Sequence, residues 1–568
     1  ARQSEVTERF LHTNRFRLAG LLTVALAAAA CAPSIDVTTE RSDQIGSAAD
    51  ASVIPPASEI GWSSCEAFGI PESVVVETDG WECATLTAPM DPFDSSSDDT
   101  VDLALTRHAA TGDRRGSLLI NPGGPGGSGV EFAWGIRSAF PIEILRAFDI
   151  VSWDPRGVAN SVPAISCGDN PDISDDFLME ACADATGPLA AHLAAPYSAS
   201  DMEAIRVALG ELRLDYLGYS YGATLGAAYA AQYPDTVGRF VLDGATDPLI
   251  GSADGYFEEG FPYYAADGTP GAIRRFSELC DASDRCVLGA DSAAVLDVLV
   301  DTIGALPTDD FAGSPDVVDD DAFTELIASS MSYSGDWELL ATGVADASEG
   351  DASAIASLVS TDAAISSDAL DEPAEPFEIA NIVIYCADFR HVIDDWSYCD
   401  SIPVNEEMLA PVEAVAVATT ILVIGTEFDP LTPGQHAPVF AEALESAVDI
   451  VWNGVGHTAF PAPTDCINDA VVRQLLDGVQ PVDGLECPFL DQAGRDPSNE
   501  DLGDILFGHG DVESERLLVS VFEFGMGLDA DSAQCAAGRV NQLGDQTISH
   551  VVLAVTSTAA DAAIGEAL

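Results

Sequence analysis

The chain has 568 residues, 47% of them hydrophobic, so it can bury a large core and accommodate more than one domain. It carries 94 Asp and Glu residues against 22 Lys and Arg, a formal net charge of -72, and all of the basic residues are arginine. A surface with this charge repels nucleic acid and anionic membranes, and we interpret it as a solvated acidic coat. The composition therefore excludes nucleic-acid binding and attachment to membranes through surface charge.

The N-terminal segment has the pattern of a bacterial export signal. Arg9, Arg15 and Arg17 precede the run LAGLLTVALAAAAC, which is short for a membrane span and ends in small residues before Cys31. The end of this run resembles a lipobox, at which a lipoprotein is cleaved and acylated on its cysteine, with Ala28 where a larger aliphatic residue is usual. We expect a protein that is secreted, or held on the cell surface by a lipid on Cys31. Cleavage at an Ala-x-Ala site without acylation is the alternative.

Export makes disulfides possible, and the chain has 12 cysteines. Pairing sequence neighbours predicts five disulfides, although sequence alone leaves other connectivities open. The predicted pairs are Cys65 with Cys83, Cys167 with Cys182, Cys280 with Cys286, Cys386 with Cys399, and Cys466 with Cys487. Cys535 is left alone. Because there is no CxxC pair and no His/Cys cluster with zinc spacing, we expect no metal site.

The distribution of apolar runs predicts an interrupted α/β fold. From Cys83, two strand-like segments are followed by short apolar runs that alternate with helical segments as far as VGRFVLDGA. This alternation favours a mostly parallel sheet with helices on both faces. It stops after Pro248, where an acidic stretch with helical character begins, and returns at ATTILVIGTEFDP. An interruption between two parts of one sheet pattern indicates an inserted helical cap, or lid, domain.

The predicted organisation has six segments. The linker is assigned from its polar composition alone and the C-terminal extension from its helical character alone. They are an export signal with a lipobox-like end (1–31), a flexible linker (32–60), the first part of an α/β-hydrolase core (61–248), a helical cap (249–410), the second part of the core (411–487), and a small helical C-terminal extension (488–568).

Ser220 lies in the stretch YLGYSYGATLG, at the centre of a Gly-x-Ser-x-Gly pattern between an apolar strand and a helix of small residues. In a nucleophile elbow, glycines such as Gly218 and Gly222 leave room for a strained turn that lifts the serine above the sheet edge. The following helix points backbone N–H groups and the positive end of its dipole at developing negative charge. GxSxG also recurs by chance in a chain with 48 glycines, but its strand-turn-helix setting favours a nucleophile.

A serine hydroxyl is a weak nucleophile unless a base takes its proton and a carboxylate orients that base. Of the eight histidines, His457 lies in a glycine-flanked loop after the last predicted strand and is the predicted base, whereas His436 is expected to face out from a helix. Asp429, in the loop FDPLTP after the preceding strand, is the predicted acid. The alternatives for the acid are Glu427, Asp243 and Asp247. The order Ser, Asp, His is that of α/β-hydrolase triads.

The segment NPGGPGGSG, Asn121 to Gly129, directly follows a predicted strand. Its glycines allow a backbone N–H to approach a substrate carbonyl closely. We expect the N–H groups of Gly124 and of Tyr221 to form an oxyanion hole, in which one donor is typically worth ~3 kcal/mol. Gly123 is the alternative to Gly124, and a tight turn without a catalytic role is the other interpretation.

Five segments in this order, NPGGPGGSG, WDPRGVANS, GYSYGATLG, DPLTP and GVGHT, resemble the secreted tripeptidyl-aminopeptidase-like α/β-hydrolases, which are related to proline iminopeptidases. IYCADF, which contains Cys386 and Asp388, resembles a further segment of that family, and the likeness extends from about Cys65 to Cys487. The resemblance implies a loop-holding role for Asp154 and Arg156 of the segment DPRG.

The resemblance also implies function. It assigns the nucleophile to Ser220, the orienting acid to Asp429 and the base to His457, with no cofactor, in an enzyme that removes short peptides or single residues from free N-termini. Peptides are then the partners, and we expect a monomer. Glu258 and Glu259 are candidates to pair with the substrate ammonium, against the simpler interpretation that they are solvated. The alternatives are a carboxylesterase or lipase with the same triad, and a non-catalytic cell-surface binding protein on this scaffold.

Overall fold

A computed structural model gives the fold of the chain. It describes residues 60–68, 80–94, 96–168, 178–245, 269–283, 286–288, 292–300, 323, 326–327, 330–332, 337–350, 352, 355, 376–389, 397–403, 420–444, 447–461 and 464–488. The predicted export signal, nearly all of the linker and of the C-terminal extension, and both Cys31 and Cys535 lie outside these residues.

The chain divides into two compact units. One comprises Pro56–Arg137 and Glu143–Phe507 and contains every residue of the candidate active site. The other comprises Ala1–Pro55, Ser138–Ile142 and Gly508–Leu568, of which only the middle segment is described.

The described residues contain one nine-stranded sheet, in the order β1-β2-β4-β3-β5-β6-β7-β8-β9. The first two pairings, β1 with β2 and β2 with β4, are antiparallel, and all of the others are parallel. The strands are β1 (Trp81–Pro89), β2 (Thr100–His108), β3 (Gly116–Asn121), β4 (Phe148–Trp153), β5 (Leu214–Tyr219), β6 (Val237–Asp243), β7 (Ile421–Phe428), β8 (Ala447–Val455) and β9 (Leu485–Cys487). This topology confirms the predicted α/β-hydrolase fold.

Helices accompany the sheet along the chain. They are α1 (Gly129–Ile136), α2 (Ile142–Ala147), α3 (Leu178–Thr186), α4 (Ala195–Leu209), α5 (Tyr221–Gln232), α6 (Thr269–Ala282), α7 (Ser292–Val300), α8 (Trp337–Ser348), α9 (Pro376–Phe389), α10 (His436–Ala443) and α11 (Asp465–Asp477). Short 3₁₀ helices span Cys65–Phe68, Arg137–Ala139, Gly187–His192, Pro234–Thr236 and Ser397–Ser401. In the part of the chain that the structure describes, no helix is both long and apolar enough to cross a bilayer.

Burial along the strands follows from their position in the sheet. Every residue of β3 and β4 is buried, as expected of central strands covered by helices on both faces. Edge strand β1 instead alternates buried and exposed side chains over much of its length. Neither strand has a solvent-facing side, and for this reason SLLIN and FDIVSW do not alternate apolar and polar residues along the sequence.

Strands β6 and β7 are neighbours in the sheet although a long interval of sequence separates them. They pair in parallel, with Phe240 opposite Ile421 and Asp243 opposite Ile424. Helices α6 to α9 lie in the interval between them. The sheet is thus continuous across the stretch where the alternation in the sequence stops, while the boundaries given above for the cap remain a prediction.

The structure contains the five disulfides that the sequence predicts. They join Cys65 to Cys83, Cys167 to Cys182, Cys280 to Cys286, Cys386 to Cys399, and Cys466 to Cys487. The last two tie α9 to the 3₁₀ helix after it and α11 to β9.

Candidate active site

Ser220 occupies the turn between the end of β5 and the start of α5. Its φ of 53° lies in a region that a serine rarely adopts, so the turn is strained. A β carbon on Gly218 would lie 2.6 Å from the carbonyl carbon of Gly222, and only glycine therefore fits this turn. The Ser220 N–H donates to the Asp243 carbonyl at 2.8 Å, which fixes the turn to β6. This local geometry is that of a nucleophile elbow.

Asp429 lies in the loop after β7 and is completely buried. Its two oxygens lie 3.0 and 2.9 Å from Nδ1 of His457. The same carboxylate accepts the N–H groups of Leu431 and Thr432, both at 2.8 Å, and that of Thr458 at 3.0 Å. The hydroxyl of Thr432 donates to it at 2.8 Å. A buried carboxylate with this many donors is fixed in position and holds the imidazole in one orientation.

The His457 side chain is 14% exposed and has a raised pKa. Burial by itself lowers the pKa of the imidazole, because it disfavours the charged form. The charge and hydrogen bond of Asp429, with the charge of Asp243, outweigh burial and raise the pKa of His457 above its ordinary value. The site is thus arranged to stabilise an imidazolium, the species that forms when a base accepts a proton.

Asp243 ends β6 and is also completely buried. Both of its oxygens lie 3.0 Å from the N–H of Ala459, and one accepts the N–H of Phe460 at 2.6 Å. Burial raises the pKa of Asp243 to about 7, against the opposing effect of these hydrogen bonds. Asp243 therefore holds the backbone just after His457, whereas Asp429 contacts the imidazole itself.

The structure links Ser220 to the His457 loop through the backbone at the end of β6. A β carbon on Gly244 would lie 3.5 Å from Cε1 of His457, and Gly244 follows Asp243, whose carbonyl holds the Ser220 N–H. Among the described residues, the Ser220 hydroxyl makes no hydrogen bond. The structure thus pairs Asp429 with His457 directly and brings Ser220 to the same end of the sheet.

The predicted oxyanion loop lies against the elbow. A β carbon on Gly123 would lie 2.8 Å from the Tyr221 nitrogen and 3.0 Å from Cβ of Ser220, so a glycine keeps this N–H accessible. The N–H of Gly123 donates to Oδ1 of Asn121 at 2.9 Å and is therefore occupied. Within the described part of the chain, the N–H groups of Gly124 and Tyr221 make no hydrogen bond. This difference favours Gly124 over Gly123 as the second donor.

Helix α9 covers this loop. The side-chain amide of Asn381 donates to the Pro125 carbonyl at 2.9 Å. A β carbon on Gly126 would lie 2.8 Å from the Asn381 nitrogen, and one on Gly124 would lie 3.3 Å from the Phe377 ring. A helix from the interval between β6 and β7 therefore packs directly on the loop beside Ser220.

Asp154 and Arg156 hold loops, as the resemblance implies. Asp154 accepts hydrogen bonds from the Ser128 hydroxyl at 2.6 Å and from both the backbone and side-chain nitrogens of Asn160 at 3.0 and 3.1 Å. Arg156 forms a two-pronged ion pair with Asp201, at 2.8 and 2.7 Å, in which both side chains are buried. Such a pair fixes geometry more than it adds stability, because both charges lose their hydration.

Other predicted residues have different outcomes. The prediction that His436 faces out is wrong: it is 4% exposed, because the helix that it begins packs against β7 and β8. Glu427 is exposed at the end of β7. Asp247, Glu258 and Glu259 lie outside the described residues. No group of three or more His, Cys, Asp or Glu side chains among the described residues is placed to hold a metal ion.

Sequence reasoning did not identify Asn121 or Thr432 as parts of the site. Thr432 follows Asp429 by three residues, and its backbone and hydroxyl both donate to that carboxylate. This spacing is that of an Asx turn extended by a hydroxyl, so DPLT carries a signal that could have been used. Asn121, at the end of β3, carries no comparable signal in the sequence.

Comparisons with known proteins agree with this fold. A sequence model of the family described as alpha/beta hydrolase fold matches residues 116–462. "Carboxylesterase B" of Mycobacterium tuberculosis is 31% identical over 528 residues, covering 80% of this chain and 94% of the relative. "Serine protease Hip1" of the same species is 29% identical over 462 residues, covering 71% and 87%. "Tripeptidyl aminopeptidase" of Streptomyces lividans is 26% identical over 482 residues, covering 75% and 86%.

Proposed function

Since this chain belongs to the α/β-hydrolase fold family, in its tripeptidyl-aminopeptidase-like group, and is a serine hydrolase, we propose that it releases short peptides or single residues from free N-termini of peptides. Two of the similar proteins carry the names serine protease and tripeptidyl aminopeptidase, which supports peptides as substrates. The observation that carries the proposal is the contact of buried Asp429 with Nδ1 of His457, at the sheet end where Ser220 forms its strained turn.

In the proposed reaction, the Ser220 oxygen attacks the scissile carbonyl while Nε2 of His457 takes the hydroxyl proton. Asp429 keeps the proton on Nδ1 and stabilises the imidazolium. The carbonyl oxygen gains negative charge, which the N–H groups of Gly124 and Tyr221 stabilise. His457 then gives its proton to the leaving amine, an acyl-enzyme remains, and water releases the acyl group by the same steps in reverse order.

The second candidate function is a carboxylesterase, because the same triad cleaves esters and amides. The 31% identity to a protein named Carboxylesterase B favours this alternative. The two functions differ in how they treat the substrate amine. A peptidase that acts on free N-termini needs a group for an ammonium, for which Glu258 and Glu259 are the proposed residues, whereas an esterase does not.

Export belongs to the proposal as well. The arginines and the apolar run before Cys31 support export of the protein. The exported protein is then either free or anchored by a lipid on Cys31. The mass of the mature N-terminus distinguishes the two, since acylation adds lipid to the cysteine. We propose a monomer.

The test combines a covalent probe with a substrate panel. A fluorophosphonate should label the parent protein and not Ser220→Ala, while Ser348→Ala, a change of an exposed serine, should label like the parent. Tripeptidyl and aminoacyl amides with a free amine should be cleaved, and their N-acetylated forms should not. Efficient cleavage of short acyl esters with little cleavage of either the free-amine or the acetylated amides would favour the esterase. Equal labelling of Ser220→Ala and the parent would contradict the proposed nucleophile.

A further inference from the structure

Asp388 is a buried carboxyl group on α9 that the proposed reaction does not use. It is 6% exposed and belongs to the segment IYCADF. One oxygen accepts the N–H of Ala195, the first residue of α4, at 2.7 Å, and the other accepts a short hydrogen bond from the hydroxyl of Tyr221. Both oxygens therefore contact elements of the core, although α9 itself lies in the interval between β6 and β7.

Tyr221 connects this carboxyl group to the site. It is the residue after Ser220, and its backbone N–H is the proposed oxyanion donor at the first position of α5. Its ring is buried, and burial raises the pKa of its phenol well above the ordinary value, so the hydroxyl remains a donor. The side chain of Tyr221 is thus held at its far end by Asp388 while its backbone faces the oxyanion site.

Asp388 is itself held in place by its neighbours on α9. Cys386, two residues earlier, forms a disulfide with Cys399. One turn and a half before that, Asn381 donates to Pro125 in the oxyanion loop. Helix α9 therefore contacts both halves of the proposed oxyanion hole, the loop through Asn381 and the elbow through Asp388.

We propose that Asp388 is a positioning residue for the oxyanion hole, which fixes the backbone N–H of Tyr221 by accepting the hydrogen bond of the Tyr221 hydroxyl. Helix α9 is then a fixed part of the active site and not only a cover over it. This inference rests on the proposed function, because it needs Ser220 as nucleophile and the Tyr221 N–H as oxyanion donor. A purely structural bond would add to stability alone, whereas a positioning bond affects kcat.

Tyr221→Phe tests the proposal, with Tyr229→Phe as the matched control. Tyr229 lies two turns later in the same helix, is completely buried, and also donates its hydroxyl to a carboxylate, that of Glu203, at 2.8 Å. Both variants should lower the melting temperature. Since misplacing a catalytic group carries a large cost, Tyr221→Phe should lower kcat on a short acyl ester about tenfold with KM little changed. Tyr229→Phe should leave kcat within about twofold of the parent, because the Tyr229 hydroxyl bonds Glu203 and lies away from the reacting atoms.

Asp388 variants complete the test. Asp388→Asn keeps an acceptor for the Ala195 N–H and a polar partner for the phenol, so its kcat should lie between those of the parent and Tyr221→Phe. In the double variant, kcat should fall by less than the product of the two single-variant decreases, because both changes remove the same bond between Tyr221 and Asp388. An alkyl boronic acid, which places an oxygen in the oxyanion hole, should bind more weakly to Tyr221→Phe than to Tyr229→Phe.

Fluorophosphonate labelling distinguishes a failure of the proposed function from a failure of the inference on Asp388. If the parent is labelled at Ser220, but Tyr221→Phe and Tyr229→Phe have equal kcat and equal boronic-acid affinity, the inference on Asp388 is overturned and the proposed function stands. If Ser220 is not labelled in the parent, the proposed function fails and the inference fails with it.

Discussion

Asp243 holds the backbone of Ala459, with each of its carboxylate oxygens 3.0 Å from that N–H. Ala459 lies two residues after His457, so the carboxylate at the end of β6 fixes the loop that carries the imidazole. The carbonyl of the same residue holds the Ser220 N–H at 2.8 Å. One residue thus ties the predicted nucleophile and the predicted base to the same strand.

Asp243→Ala should damage both stability and activity. It removes the carboxylate that accepts the buried N–H groups of Ala459 and Phe460, which should lower the free energy of unfolding by about 2–4 kcal/mol. Release of the loop should displace His457 and lower kcat about 100-fold, the effect expected of a shift near 1 Å. Urea unfolding and steady-state kinetics measure the two effects. Glu427→Gln is the control and should change unfolding by less than about 0.5 kcal/mol, since this carboxylate is exposed. A fully active Asp243→Ala would show that the loop holds its position without this carboxylate.

Thr432→Val should lower kcat, and it should also lower the free energy of unfolding by about 1–3 kcal/mol because it removes a hydrogen bond to a buried carboxylate. The hydroxyl donates to Asp429 at 2.8 Å and lies 3.3 Å from Nδ1 of His457, so its removal weakens the orientation of the pair. We expect kcat to fall about tenfold, the equivalent of one hydrogen bond to a charged group.

The matched control for Thr432→Val is Thr426→Val, in the preceding strand. The Thr426 hydroxyl is buried and, among the described residues, has no hydrogen-bond partner. Its replacement should leave kcat unchanged and leave the free energy of unfolding the same or raise it by up to about 1 kcal/mol. Equal kcat in the two variants would argue against a role for Thr432 in orienting the pair.

The rate should fall at low pH with an apparent pKa above that of an ordinary histidine. A protonated imidazole cannot accept the Ser220 proton, and the raised pKa keeps His457 protonated to higher pH. The acid limb of kcat/KM should therefore lie above pH 6.5, the reference value of the group.

Asp429→Asn should move that acid limb to lower pH, because it removes the charge that raises the pKa of His457. It should also lower kcat by up to about 10⁴, the loss known for removing the orienting acid of a serine triad. Asp469→Asn, whose side chain is 68% exposed on α11, should leave the profile in place. An acid limb that is identical in the parent and Asp429→Asn would assign the titration to another group.

Phe377→Ala should change which substrates are preferred. The Phe377 ring is 44% exposed and lies beside Gly124, the proposed oxyanion glycine, so it is placed to contact the residue next to the scissile bond. Loss of an apolar contact of this size should lower kcat/KM about tenfold for substrates with a large apolar residue there and affect glycine substrates little. Val482→Ala changes an exposed apolar residue and should not lower kcat/KM for either class of substrate. A uniform decrease over all substrates would place Phe377 outside the pocket.

Local patterns in the sequence predicted most of the fold. Strands such as SLLIN and FDIVSW are short, mainly apolar segments, and the elbow glycines are dictated by a turn that has no room for a β carbon. The Asp429 and His457 loops were found because each follows a strand, which places it at the same sheet edge. These features are set by residues close together in the sequence, and hydrophobic periodicity and turn residues are signals of that local kind.

Contacts between distant segments were not predictable in the same way. The sequence indicates Asp243 only as an alternative triad acid, because nothing in one sequence shows that it meets Ala459, 216 residues later. The bond from Tyr221 to Asp388 spans 167 residues and is equally hidden. The prediction for His436 is wrong because a single polar residue at the start of a helix does not reveal that the whole helix packs on the sheet.

The contacts of α9 also determine how enzymes of this kind can be recombined. A chimera that exchanges everything between β6 and β7 with a relative would separate Asn381 from Pro125 and Asp388 from Tyr221. It would bring foreign partners to the proposed oxyanion loop. The natural junction for such a graft lies ahead of Pro376, so that the helix is inherited together with the sheet. The preceding segment can then be exchanged while α9 keeps its contacts with Pro125 and Tyr221.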